Sequence, residues 1–371
     1  MVATTAVSAR GISDAVWMHG AALALGFDTT LAANGTLLVD LPGLDHSVCF
    51  AQGVPPTTSQ ATAAFLSDQV ITRQVLQCAG VPVPTWRSVR FVDGAPAISR
   101  IANGLGYPLT LRAGWGGRHA TISPLAVDVR KRSDLLGALQ QLRAAAGSRA
   151  MRPVQPRGQL ILDRYMEGRL VRLLLMNGDV VAAVYESAVP FGQGGPSPIS
   201  CSDLHSDLLH LGKVAAGAIP NLDLASIRIV AQDPTSTLSN QPHAVLGIDM
   251  YAGLDCYEQA QTGTGRKLAV KIFGEGMSGQ AVERPLVPWT TKTATIRIGG
   301  LPSPSTSRTR VAKLVSQRGL ADPSAFAIED DHISATMTGD PLDIAVLCSK
   351  LVDGILSRQR PLYIEVRGIT N

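Results

Sequence analysis

Residues 169–189, RLVRLLLMNGDVVAAVYESAV, set Asn177-Gly178 between two apolar runs. An Asn-Gly pair accepts positive φ at both central positions of a tight turn, and that turn has the twist of antiparallel strands. The spacing therefore predicts a hairpin and commits this part of the chain to an antiparallel sheet. Strand-like runs recur around it: TLLVDL (36–41), WRSVRFV (86–92), PLTLRA (108–113), QLILDRY (159–165), SIRIVAQ (226–232) and HAVLGIDMY (243–251). Helical spacing covers 14–26, 57–79 and 132–146, with Ser67 and Asp68 as candidate caps inside the second stretch. Gly80-Val81-Pro82-Val83-Pro84 forbids its continuation. FGQGGPSPIS at 191–200 reads as a long loop. The fold class expected is mixed α/β (α+β).

At 371 residues the chain has room for two or three domains. Hydrophobic residues at 45% and charged residues at 17% exclude a disordered chain, and aromatics at 5% mean cores of Ala, Val, Leu and Ile. The net charge of +4 is spread without a polybasic run, so no nucleic-acid partner is expected. Five cysteines without a C-x-x-C pair fit neither a disulfide framework nor a zinc site, and a reducing, cytoplasmic setting follows as the expectation. With neither a signal-peptide pattern at the start nor an apolar run of about 18 residues, no export and no membrane association are expected.

The stretch PLVPWT, just before residue 292, reads as a linker. Beyond it TKTATIRIGG, STSRTRVAKLVSQRG, AFAIED, HISATMTG, DPLDIAVLCSKLVDGIL and LYIEVRG spell β-α-β-β-α-β, which predicts a ferredoxin-like module. The segmentation expected is thus 1–84, 85–285 and 292–371.

Four blocks in order resemble the ATP-grasp ligases, in particular the branch of cyanophycin synthetase and the bifunctional glutathione synthetases. They are SDQVITRQVLQCAGVPVP from Ser67 to Pro84, YPLTLRAGWGGRHATIS from Tyr107 to Ser123, LILDRYMEGRLVRLLLMNGDVVAA with Gly168 and Arg172 in register, and GIDMYAGLDCYEQAQTGTGRKLAVKIF. The resemblance spans roughly residues 14 to 275. It implies a two-lobed fold clasping ATP between sheet layers, with Mg²⁺ held by oxygen ligands, and an acyl phosphate that an amine or thiol captures. It implies that Arg112, the loop glycines Gly114, Gly116 and Gly117, and Arg172 face the phosphates, with Arg172 the catalytic cation. Asp163 falls on the nucleoside-binding acid and Asp249 on a metal ligand. The family's first nucleotide lysine falls on Gln69, its first acidic metal ligand on Arg228 and its second on Gly247, with Asp233, Asp255 or Glu258 as substitutes. The C-terminal module resembles acylphosphatase-like folds, with Gly299-Gly300 and Arg308 or Arg310 on the next helix, although the family's glycine loop is absent. An accessory packing or oligomerisation role is the preferred reading there.

Read as residues alone, several of these positions keep two meanings. The 114–117 glycines suit a phosphate cradle or merely a positive-φ turn. Arg172, inside an apolar strand, needs a partner, which is either a ligand phosphate or Asp163 or Glu186. His119 and His243 lie near the expected cleft and read as satisfied or solvated side chains, Cys256 as a small apolar filler, and Gly263-x-Gly265 as a loop leading into a helix. Two functions follow. One is an ATP-dependent carboxylate–amine ligase whose partners are a nucleotide, a carboxylate and an amine small molecule or peptide. The other is a catalytically degenerate homologue, a pseudoenzyme serving as a structural, regulatory or assembly subunit with a protein partner or a second copy of itself. Substitutions at Gln69, Arg228 and Gly247 favour the second, and the retained blocks with Arg172 favour the first.

Overall fold

The computed structural model describes residues 12–43, 45–114, 125–145, 159–186, 195–277, 289–301, 304–316, 318–320, 326–329, 332–353 and 360–370. Gly116, Gly117 and His119 lie outside them. The described chain combines helices with antiparallel sheets, as the mixed class requires.

The chain opens with α1 (Asp14–Ala24), β1 (Thr29–Ala32), β2 (Thr36–Val39) and β3 (Val48–Ala51). Next come α2 (Gln60–Ser67), α3 (Gln69–Cys78), β4 (Trp86–Arg90), α4 (Gly94–Leu105), β5 (Leu109–Ala113) and β6 (Ala126–Val129). They lead to α5 (Arg132–Ala145), β7 (Gln159–Arg164), β8 (Arg169–Met176), β9 (Asp179–Glu186) and β10 (Ser197–Ile199). After α6 (Ser206–Gly217) come β11 (Leu224–Ala231), β12 (His243–Asp249), α7 (Leu254–Ala260) and α8 (Thr264–Gly276). The last run is β13 (Lys292–Gly299), α9 (Pro304–Ser316), β14 (Ala327–Glu329), β15 (His332–Gly339), α10 (Pro341–Asp353) and β16 (Tyr363–Thr370).

Two compact units emerge. Thr58–Ala252 with Gln259–Gln261 form one; residues 12–57 join 253–258 and the described residues from Thr262 onward in the other. Across residue 84, α3 is tied to a later strand through the Gln69 amide. Asp68 caps α3 by accepting from the Val70 and Ile71 amides at 3.1 Å, and the Gln69 amide donates to the Gly114 carbonyl at 3.0 Å. Ser67 is the last residue of α2, and the cap of that helix is Ser59.

In the first unit a four-stranded sheet, β4-β7-β5-β6, turns Leu109, Leu111, Leu160 and Leu162 onto Ile98, Ala102 and Leu135 of α4 and α5. Strand alternation puts Thr110, Arg112, Ile161 and Asp163 on its opposite face. A five-stranded sheet, β10-β9-β8-β11-β12, contains the expected hairpin, with Asn177 at φ 51° and Gly178 at φ 84°. One face packs on α6, where a Cβ added at Gly212 would lie 2.7 Å from Leu173 Cδ1. The other face carries Arg172, Glu186, Ser226, Arg228, Gly247 and Asp249.

The second unit holds one antiparallel seven-stranded sheet, β14-β15-β13-β16-β1-β2-β3. The β-α-β-β-α-β run is present, but its sheet does not end with it: β16 pairs onward with β1, Thr29 facing Val366. Trp289, in the stretch read as a linker, is a packing residue. Its ring meets Trp17 edge-on at 6.4 Å, and the Arg266 guanidinium lies 5.1 Å above it.

Candidate functional site

Alternation along β5 and β7 brings Arg112 and Asp163 to one polar face, and the amphipathic α3 adds Arg73, which sequence reading missed. Arg73 donates to Asp163 Oδ1 at 2.6 Å and to the Leu246 carbonyl at 2.8 Å, while Arg112 Nε donates to Oδ2 at 2.7 Å. Asp163 is 1% exposed, so its carboxylate is wholly enclosed by two guanidinium groups. Asp163 ties α3 to the sheet through these bonds. Burial pulls the Arg112 pKa below its usual value, and the Asp163 charge opposes that shift.

The second charged group lies on the five-stranded sheet. Arg172 and Arg228 are direct cross-strand partners on β8 and β11. Glu186 on β9 receives Arg172 Nε at 2.5 Å, and its other oxygen lies 2.7 Å from Arg228 Nε. Arg172 also donates to Ser226 Oγ at 3.0 Å. Of the two carboxylates named for Arg172, Glu186 is the one it pairs with. Burial alone would raise the Glu186 carboxyl, yet the Arg228 and Arg172 charges hold it down at about 2. Arg228 has its own pKa lowered, by burial and then by Arg172. Arg112 feels the charge of Glu186, and Arg228 that of Arg112, so both groups share one electrostatic environment.

Gln69 spends its amide on the Leu66 carbonyl at 2.8 Å. Gly114 approaches Gln159 so closely that an added Cβ would sit 2.9 Å from that residue's Cβ, and its amide donates to the Gln159 carbonyl; this accounts for the glycine by packing. Asp249 accepts from the Tyr251 amide at 3.1 Å and faces Ser226 across the ladder, and Gly247 faces Arg228. Asp233 is held by the hydroxyls of Ser236 and Thr235, which lower its pKa to about 2. Glu258 accepts from the Gly263 and Gly265 amides at 2.9 Å, placing those glycines at the start of α8 as read from sequence. Asp255 lies in the first turn of α7, in the second unit. His243 meets the Gln241 carbonyl at 2.9 Å. A hollow of ≈ 350 Å³ lies elsewhere, along Val83–Ser88.

Magnesium requires several oxygen donors in near-octahedral array. Here Arg228 only donates hydrogen bonds, Gly247 offers no side chain, and Glu186 is committed to two guanidinium groups. Among the described residues no cluster of three or more His, Cys, Asp or Glu is placed to hold a metal ion. The donor set does not fit the ion. No helix among the described residues is long and apolar enough to cross a membrane.

No protein-family model matches the chain, and no curated protein matches it. Among solved structures it is similar to the ATP-grasp ligase PsnB complexed with a minimal precursor, at 15% identity and TM-score 0.39 over 59% of this chain and 63% of that one. It is similar to a bifunctional glutathione synthetase from Pasteurella multocida, at 12% identity and TM-score 0.43 over 70% of this chain and 44% of that one. It is also similar to the D-alanine–D-alanine ligase of Bacillus anthracis complexed with ATP, at 13% identity and TM-score 0.43 over 60% of this chain and 68% of that one. The chain thus spans less than two thirds of the length of the first two.

Proposed function

We propose that the chain is an ATP-grasp-like protein in which an arginine–carboxylate cluster stands in place of the magnesium-dependent ligase centre, and that it works as a binding or assembly subunit. The observation that carries this reading is the position of Arg228. It occupies the strand position at which the resemblance calls for an acidic metal ligand, lies opposite Arg172, and pairs with Glu186. A transferring phosphoryl group needs its charge neutralised by metal as well as by cations. The Arg112 and Arg172 groups that would face phosphates are both held by carboxylates of this chain.

The test is turnover. Purified chain incubated with ATP, Mg²⁺ and mixed amino acids or peptides should release ADP and phosphate only at the background rate. Release that rises with added carboxylate and amine would restore the ligase reading. The βαββαβ run is proposed as a ferredoxin-like accessory module that supports self-association. Light scattering should then report more than one copy per particle, and a strict monomer at every concentration would remove that role.

A further inference from the structure

The outer strands of the three sheets are β14, β3, β10, β12, β4 and β6, and among the described residues all but β4 are blunted. β10 and β14 are three residues each, and β3 spends its Ala51 amide on the Val54 carbonyl at 3.2 Å. β6 holds Asp128 at φ 52°, and β12 is largely buried, with its Val245 amide on the Pro82 carbonyl at 2.8 Å. β4 stays open. The Thr85 carbonyl accepts from the Arg164 amide at 2.8 Å, so Thr85, Arg87 and Val89 turn their backbone groups to β7, and antiparallel alternation turns those of Trp86, Ser88 and Arg90 outward. Side chains meet two of these: the Arg90 amide donates to Asp93 Oδ2 at 2.9 Å, and the Trp86 carbonyl accepts from Arg87 Nη1 at 2.9 Å. Ser88 is exposed, and among the described residues its outward N–H and C=O meet no such group. An edge of this kind can pair with a further strand.

Charge selects the strand. Arg87 stands opposite Leu162, so Arg164, two residues further along β7, shares its sheet face. Both arginines are exposed, and among the described residues no carboxylate pairs with either, whereas Arg90 is matched by Asp93 at 2.9 Å. Pairing β4 with a second copy of itself would gather the arginines of both copies along one seam, which like-charge repulsion opposes. An acidic strand meets no such obstacle. Beside β4 lies the hollow of ≈ 350 Å³, lined by Gln77, Val83, Pro84 and Trp86 among others, with Trp86 Nε1 donating to Gln77 Oε1 at 3.3 Å. We propose, resting on the reading of the chain as a binding subunit, that β4 is a docking edge for an extended acidic peptide of a partner protein. The peptide adds a strand through Ser88, sets carboxylates against Arg87 and Arg164, and places an alternate side chain in the hollow beside Trp86. Main-chain hydrogen bonds then hold it, and the alternating side chains select it.

The experiment titrates the full chain into a fluorescent peptide that alternates glutamate and valine, followed by anisotropy, beside a lysine–valine peptide and a glutamate–valine peptide with every amide N-methylated. The first should bind, and the other two should bind about tenfold more weakly or worse. Absence of glutamate–valine binding at millimolar concentration, or equal binding of either control, would overturn the proposal. Ser88→Pro removes the outward N–H at an edge position where proline is tolerated, and it should lower affinity about tenfold. Arg87→Glu should shift preference toward the lysine–valine peptide; an unchanged preference would count against the proposal. Should Ser88→Pro fail to fold, Arg87→Glu and the methylated peptide decide. A particle mass that falls in folded Ser88→Pro, with no peptide bound by the unaltered chain, would give the edge to a second copy and overturn the acidic partner. Loss of peptide binding without turnover removes this edge and leaves the subunit reading in place, whereas ligase turnover removes that reading whatever the peptides do.

Discussion

Arg172 and Arg228 stand opposite each other on adjacent antiparallel strands, and the single carboxylate of Glu186 holds both. Like charges placed directly across a ladder destabilise it. The sheet therefore depends on Glu186 at this point, and the dependence can be measured.

Glu186→Gln keeps the side chain's shape and removes its charge, leaving two buried guanidinium groups without their counter-ion. The expected loss is about 3–5 kcal/mol in urea unfolding. Combined with Arg228→Leu, the same substitution should cost clearly less, since one of the two stranded charges is gone. Equal losses in both backgrounds would mean that Glu186 and Arg228 do not interact energetically.

The same carboxylate sets an acid limb. Its pKa falls from 4.5 to about 2 on folding, so its contribution is fully present above pH 4.5 and is lost as pH drops through about 2. At stake is about 3 kcal/mol. Unfolding free energy followed from pH 5 down to 2 should fall more steeply in the unaltered chain than in Glu186→Gln; parallel curves would contradict the assignment.

His19, in the second unit, predicts a separate pH effect. It is 1% exposed, lies 3.0 Å from Thr29 Oγ1, and burial lowers its pKa from 6.5 to about 4. The unfolded chain takes up a proton that the folded one refuses. Stability is therefore whole above pH 6.5 and declines by about 3 kcal/mol as pH falls through 4. His19→Gln should flatten the melting temperature across that window, and an unchanged slope would show that another group titrates there.

Gly168 joins β7 to β8 at φ 151°, where an added Cβ would lie 2.6 Å from the Ala231 carbonyl oxygen. The obstacle is backbone and cannot swing aside. Gly168→Ala should destabilise by roughly 1–3 kcal/mol through strain and forced displacement, read by thermal or urea unfolding. A melting temperature within error of the unaltered chain would show that the turn relaxes freely.

Much of the local architecture was readable before any coordinates. The Asn177-Gly178 turn, the strands at Leu109–Ala113 and Gln159–Arg164, the Asp68 cap and the β-α-β-β-α-β run all stand where side-chain period and turn chemistry placed them. The misses have local causes too. β1 and β3 are four residues each, too short to show a period, and α4 carries Pro96 and Gly104 within its length. The helix α6 lies in a stretch rich in Gly and Ala with only a modest apolar stripe, so nothing local announced it.

What the chain determined unaided was the kind of element at each place, because period, capping and turns depend on neighbours a few residues apart. What only tertiary structure decided was partnership: β1 closing on β16, Arg73 reaching Asp163 from a helix 90 residues earlier, and Glu186 rather than Asp163 taking Arg172. These pairings depend on register between distant segments and on the cost of burying unpaired charge. No short window of residues carries that information.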